Sequence, residues 1–355
     1  MADNAKTPGT GGNKPKPTGS GDSQSAKDKS RAASRPVAGG GSGRGGNTPR
    51  AQGKQGGPAD GPKASNRSTL IAWGAVALVV VIIAVLVIVK LTQSSTQNLS
   101  YTPVTSAPAQ VVQDVSTIPM STWNKVGVTS EFPVNKPIVL TGQPTMVLNG
   151  KSPTMLYYGA EYCPYCAAER WAMVTALSRF GTWSNLKITA SSHTDIDAET
   201  HTFSFYGASL ASPYINFVPI ETCTNIPNPS NTACNGYNSL QNPTLAEAKI
   251  LAKYSTSQFI PNYPSGGGVS FPFVDVDNGM LVSGASYDPQ ILANMTWTDI
   301  SGSLSDPTNP VTQVILTTAN YITAGICRAT KGKPGGVCTS SGVQAAAKSL
   351  GITIG

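Results

Sequence analysis

Tyr157-Tyr158-Gly159-Ala160-Glu161-Tyr162-Cys163-Pro164-Tyr165-Cys166 is the stretch on which the fold turns. The run Thr154 to Tyr158 is apolar and aromatic, the pattern of a buried strand. Gly159 and Ala160 interrupt it. Beyond the cysteines, Ala167, Trp171, Val174 and Leu177 recur at helical spacing, and Phe180-Gly181 supplies a stop. The order strand, Cys-Pro-Tyr-Cys, helix places Cys163 at the first turn of the helix. Unpaired amides and the helix dipole favour a thiolate there. Pro164 suits a first helical position, where no donated N–H is needed. A low-pKa thiol with a second thiol one turn along is suited to thiol–disulfide exchange. A structural disulfide or half of a zinc site are the competing uses of such a pair. Zinc needs two more ligands, for which the chain offers His193, His201 and four cysteines in two distant pairs.

Outward from this centre the 355-residue chain changes composition sharply. Residues 1–67 are Gly, Pro, Ser, Asn and Lys/Arg, too polar to bury a core, and read as a disordered tail. Twelve Lys/Arg against four Asp/Glu give this tail a balance of +8; the whole chain carries +7, leaving −1 for the remainder. No aromatics interleave with the basic residues, so no nucleic-acid partner is expected. Leu70 to Val89 is uncharged throughout, long enough as a helix to cross the roughly 30 Å hydrocarbon core. It reads as a signal-anchor over residues 68–91, contacting the bilayer through 70–89. The charge bias puts the N-terminus in the cytoplasm and the C-terminal domain outside, in a single-pass topology. A Ser/Thr/Gln-rich stalk is expected over 92–121 and a folded domain over 122–355.

All six cysteines follow the apolar span, which suits disulfides in an exported domain. The simplest pairing is local, Cys223 with Cys234 and Cys327 with Cys338, leaving Cys163 and Cys166 as the active pair. Within the domain, Leu186 to Ala190 is the strand expected after the helix, completing a strand–helix–strand unit. Thr202 to Tyr206 and Tyr214 to Ile220 are further extended candidates, and Leu245 to Tyr254 is helical. Val269 to Val282 reads as a hairpin around Asp277-Asn278-Gly279, with Pro272 opening its first strand. Helices follow at Pro289 to Asn294 and Val311 to Cys327.

Strand, Cys-x-x-Cys, helix, strand and a proline-led hairpin resemble the thioredoxin superfamily. The longer phrase from Tyr157 through Ala167-Ala168-Glu169-Arg170-Trp171 resembles a family of membrane-anchored thioredoxin-like proteins of bacteria and archaea whose function is unassigned. The resemblance implies an α/β thioredoxin-like fold, a central mixed sheet flanked by helices, with a long insertion at about 192–268. It also implies a cis Pro272 facing the dithiol, with the Phe271 backbone shaping a docking groove and Tyr162 and Tyr165 as an aromatic rim. Relatives carry a buried acid six residues before the first cysteine; here that position is Tyr157, and Glu161, on the turn, is the nearest substitute for proton handling. The resulting expectation is a membrane-tethered thiol–disulfide oxidoreductase, an oxidase or isomerase of exported proteins. Cys163 attacks and Cys166 resolves, with no cofactor beyond the redox-active disulfide. Its partners would be exported cysteine-containing proteins and a membrane redox partner. Cu(I) held by the two thiolates is a further use. The competing reading from another class is a non-catalytic cell-envelope binding module on the same scaffold, since a scaffold alone gives no chemistry.

Overall fold

A computed structural model of the chain describes residues 100–355, apart from 152 and 265. The tail at 1–67 and the apolar span at 70–89 lie outside the described residues.

Five strands form the central sheet: β1 (Ile138–Val139), β2 (Thr154–Gly159), β5 (Asn216–Glu221), β8 (Phe273–Val276) and β9 (Met280–Ser283), in the order β1-β9-β8-β2-β5. Strand β2 lies between an antiparallel neighbour, β8, and a parallel one, β5. Its period-two alternation feeds two cores. Met155 and Tyr157 belong to the larger one, with α1 (Pro164–Leu177) and α3 (Pro310–Ala329). Leu156 belongs to the smaller, which holds Leu251 and Tyr254 of α2 (Leu245–Tyr254). Helices therefore cover both faces, as a sheet buried on two sides requires. The β8–β9 hairpin turns at Asp277 and Asn278, both at φ 55°, a region that Asp and Asn tolerate. Asp277 Oδ1 also accepts the Met146 amide at 2.9 Å, fastening the turn to the preceding segment.

Helix α1 buries every residue except Tyr165. A helix without a solvent face belongs inside a fold. The same holds for α3, 20 residues long and buried over most of its length. Buried polar groups on it find partners within the protein, Asn320 Nδ2 donating to the Gly127 carbonyl (2.8 Å) and Thr312 Oγ1 to that of Ser303 (2.7 Å), while the Thr318 hydroxyl makes no hydrogen bond among the described residues.

The structure corrects the sequence reading in several places. The strand after α1, β3 (Lys187–Ala190), does not enter the central sheet. It pairs with β4 (His201–Ser204) and with Thr105–Ser106. Thr189 Oγ1 donates there to the Thr102 carbonyl (3.0 Å) and accepts from Asn225 (3.0 Å), polar partners that an apolar sheet face does not offer. The parallel neighbour of β2 is β5, which comes from the stretch 192–268 read as an insertion. The expected thioredoxin-like fold is accordingly corrected to a mixed α/β domain with a central sheet flanked by helices. Part of the expected stalk packs into the domain as well, since Val111 and Val115 of the helix Ala109–Ser116 are buried in the larger core.

Among the described residues no helix is long and apolar enough to cross a membrane. The segment expected to give the single-pass topology, the bilayer contact and the extracytoplasmic address, residues 70–89, lies outside the described residues, so these expectations are cut back to the statement that no described helix crosses a membrane.

Candidate functional site

Cys163 takes extended geometry (φ −79°, ψ 122°) and caps α1, its sulfur accepting from the Cys166 amide at 3.4 Å, with Pro164 in the first helical turn. Pro164 there is the placement that its residue type favours, and the Cys163 sulfur fills the capping role that a Ser or Thr hydroxyl more often takes. Hydrogen bonding from the Cys166 side chain holds the Cys163 thiol below the usual cysteine value. The Cys166 and Tyr165 amides and the Arg170 charge act in the same direction, against the opposing effect of burial. Burial, reinforced by hydrogen bonding to Cys163, pushes the Cys166 thiol well up. Gly159 is forced by packing: a Cβ there would meet the Tyr157 hydroxyl and lie 2.9 Å from Cys166 Sγ.

The turn before Cys163 is clamped on both sides. The Glu161 amide donates to the Cys223 carbonyl (2.9 Å), and the Ser192 amide to that of Tyr162 (2.8 Å). The Tyr162 ring stacks on Tyr237, with centroids 4.4 Å apart and planes 9° from parallel. Its hydroxyl accepts from Asn235 Nδ2 at 2.6 Å. Tyr237 belongs to β7 (Tyr237–Ser239), paired with β6 (Cys223–Pro227) in a small hairpin that the Cys223–Cys234 disulfide closes. Cys163, Cys166, Tyr162 and this disulfide share one buried cluster, against which Phe271 and Tyr237 pack. The Phe271–Pro272 bond is cis. Phe271 contacts Tyr158 (centroids 5.2 Å) and Tyr162 (6.5 Å).

Beneath the turn lies a charged core that the sequence reading missed. Glu221, at the end of β5, is in register with Gly159. Its carboxylate receives Arg170 Nε (2.9 Å) and Nη2 (2.7 Å), both partners fully buried, and the Phe205 amide at 3.2 Å. Arg170 Nη2 also reaches the Ala160 carbonyl at 2.8 Å. Glu161, 1 % exposed, accepts the Ser204 hydroxyl at 2.6 Å, while its other oxygen makes no hydrogen bond among the described residues. Burial first, and the Glu221 charge second, push Glu161 up to about 7. Although it lies on the turn, Glu161 is buried rather than solvated. Glu169, fully buried on α1 and held by the Ser286 amide and hydroxyl, is likewise pushed up to about 7 by burial. The neighbouring strand thus sets a buried carboxylate, that of Glu221, beside the Tyr157 hydroxyl (3.5 Å). The signal available in the sequence was Glu169-Arg170 inside a helix with no polar face.

Two cavities flank Phe271. One, about 610 Å³, is lined by Pro133, Tyr165, Phe271, Tyr287 and Asp288, with the backbone of Gly284 and Ala285 between them. The other, about 160 Å³, lies against Tyr158, Tyr162 and the Cys223–Cys234 disulfide. Neither Cys163 nor Cys166 lines either cavity.

The sequence-predicted residues Tyr162, Cys163, Cys166 and Phe271 come together in one cluster, and Tyr165 joins Phe271 across the larger cavity. The chemistry expected of the cysteines is corrected. The disulfides present are Cys223–Cys234 and Cys327–Cys338, fixed links within the fold. Cys163 and Cys166 are free and buried, at 6 % and 0 % exposure. Exchange needs a sulfur that an incoming disulfide can reach, and these lie behind aromatic rings and away from the cavities. The redox-active disulfide, the oxidoreductase activity, and the exported cysteine-containing and membrane redox partners are set aside on that ground. Among the described residues no group of three or more His, Cys, Asp or Glu side chains converges, so Cys163 and Cys166 have no further ligands there for a zinc site.

The site and the mixed α/β sheet around it define a domain with a formed cleft. The chain belongs to the DUF929 family, described as a domain of unknown function, whose match runs over residues 140–328, more than half of the sequence. This replaces the thioredoxin-like family suggested by the Cys-Pro-Tyr-Cys phrase. No curated protein and no solved structure matches the chain.

Proposed function

We propose that the domain is a non-catalytic binding module that takes an extended polypeptide segment along Phe271. The carrying observation is the Phe271 backbone. Its amide and carbonyl make no hydrogen bond among the described residues, while β8 becomes paired with β2 only from Phe273 onward. An unpaired stretch of backbone beside a sheet is an edge to which an extended chain adds by main-chain hydrogen bonds, with side chains entering flanking pockets. Tyr165, 42 % exposed, and Tyr287 offer aromatic walls of the kind that dominate binding energy. The cis Pro272 following Phe271 has its carbonyl engaged by the Gly284 amide at 2.8 Å, so the edge is held in place rather than loose.

The test is fluorescence anisotropy of a labelled, cysteine-free unfolded polypeptide titrated with the full chain. Saturable binding is expected, weakened by about tenfold in Tyr165→Ala, the loss typical of an interface aromatic. It should be unchanged in Cys163→Ser, which keeps a helix-capping side chain. Binding confined to cysteine-containing polypeptides and lost in Cys163→Ser would overturn the proposal.

A further inference from the structure

We infer that the smaller cavity, on the other side of Phe271 from the cleft, receives one aromatic side chain of the bound polypeptide. The inference deepens the binding reading above and rests on it. Three observations support this occupant. The first is size: the cavity measures about 160 Å³, and one of roughly 150 Å³ holds a benzene ring. The second is the walls. Phe271 sets its ring at 47° to Tyr158 and 71° to Tyr162, and the disulfide-bonded Cys223 and Cys234 also line the cavity. Tilted rings and sulfur at close range favour an inserted aromatic ring. The third is charge. No Asp, Glu, Lys, Arg or His lines the cavity, so a charged side chain entering it would lose its hydration without gaining an ion-pair partner.

The polar groups at this cavity sharpen the chemistry. Gln241 uses its Oε1 to accept the Glu221 amide at 2.8 Å, and Asn235 uses its amide nitrogen on the Tyr162 hydroxyl. The remaining amide groups of Gln241, Asn235 and Asn242 make no hydrogen bond among the described residues. They are suited to the hydroxyl or ring N–H of Tyr or Trp in a socket that combines three aromatic rings with polar side chains, Thr222 and Ser239 among them. The larger cleft differs in carrying a carboxylate, Asp288. The two sides of Phe271 therefore ask for different side chains.

A peptide array in which each position of a binding segment is replaced in turn by Phe, Tyr, Ala, Lys or Glu, probed with the full chain, tests this. One position is expected to prefer Phe or Tyr over Ala, Lys and Glu by about thirtyfold, the loss expected when a central aromatic anchor is removed. Ala233→Glu, at an exposed position of the short 3-10 helix Thr232–Cys234 that lines the same cavity, should transfer the preference at that position to Lys or Arg. Such a swap requires a folded protein, so unfolding cannot mimic it. Bound peptides without an aromatic position, or an Ala233→Glu chain with unchanged preference, would overturn the socket and leave the Phe271 groove standing. Failure of every peptide to bind would overturn the groove, and the socket with it.

Discussion

Arg170 and Glu221 form the most demanding contact in the domain. Both are fully buried, and each is held by more than one hydrogen bond. Such a pair adds little net stability over a well-packed apolar substitute, but removing one partner strands the other charge. Glu221→Gln should therefore destabilise the fold by about 3–5 kcal/mol in urea unfolding; a loss below 1 kcal/mol would show that Arg170 finds another partner. The neighbouring acids impose a pH dependence. Burial raises Glu161 and Glu169 to about 7 and Asp275 to about 8. Each folded-state value lies above the unfolded one, so the folded form retains protons that the unfolded form has already released. Stability is then highest below about pH 4 to 5 for these groups and falls as pH rises toward 7 or 8. The slope is about 1.4 kcal/mol per pH unit for each group. Melting temperature is expected to be higher at pH 5 than at pH 8, and Glu161→Gln should flatten part of that difference. A rise from pH 5 to pH 8 would contradict the assignment.

At the level of elements, the β6–β7 hairpin and its disulfide decide the shape of the site. They hold Tyr237 against Tyr162 and form one wall of the small cavity. The second disulfide joins the end of α3 to the short helix Gly335–Cys338, far along the chain from Phe271. Both rings close short loops, for which removal costs roughly 2–5 kcal/mol. The double substitution Cys223→Ala/Cys234→Ala should lower stability and weaken peptide binding together. Cys327→Ala/Cys338→Ala should lower stability with binding preserved in the fraction that remains folded. Parallel thermal melts and anisotropy titrations distinguish the two. Equal loss of binding in both would mean that the hairpin has no special part in recognition.

Across the whole molecule, local pattern was legible and long-range partnership was not. The strand at Thr154, the helix after Cys163, the helix at Leu245 and the Asp-Asn-Gly hairpin are each written in a short window of residues. Strand pairing is not. Lys187–Ala190 and Asn216–Glu221 both read as extended, and only packing assigns the second to the central sheet. Glu221 escaped notice for the same reason: its partner Arg170 lies 51 positions away in the chain. The Cys-Pro-Tyr-Cys spacing directed attention to sulfur chemistry, whereas exposure and cavity lining depend on the fold around it. The cysteines are buried, and the accessible surface belongs to Tyr165, Phe271 and the residues beside them.

If Phe271 presents a free backbone edge to a bound chain, amide hydrogen exchange at Phe271 in the full chain, with and without a saturating cysteine-free peptide, reads it out. Rapid exchange is expected in the free protein and at least about tenfold slowing on binding, because the amide gains a hydrogen-bond partner. An amide already protected in the free protein, or one whose exchange is unchanged while the peptide is bound, would contradict it.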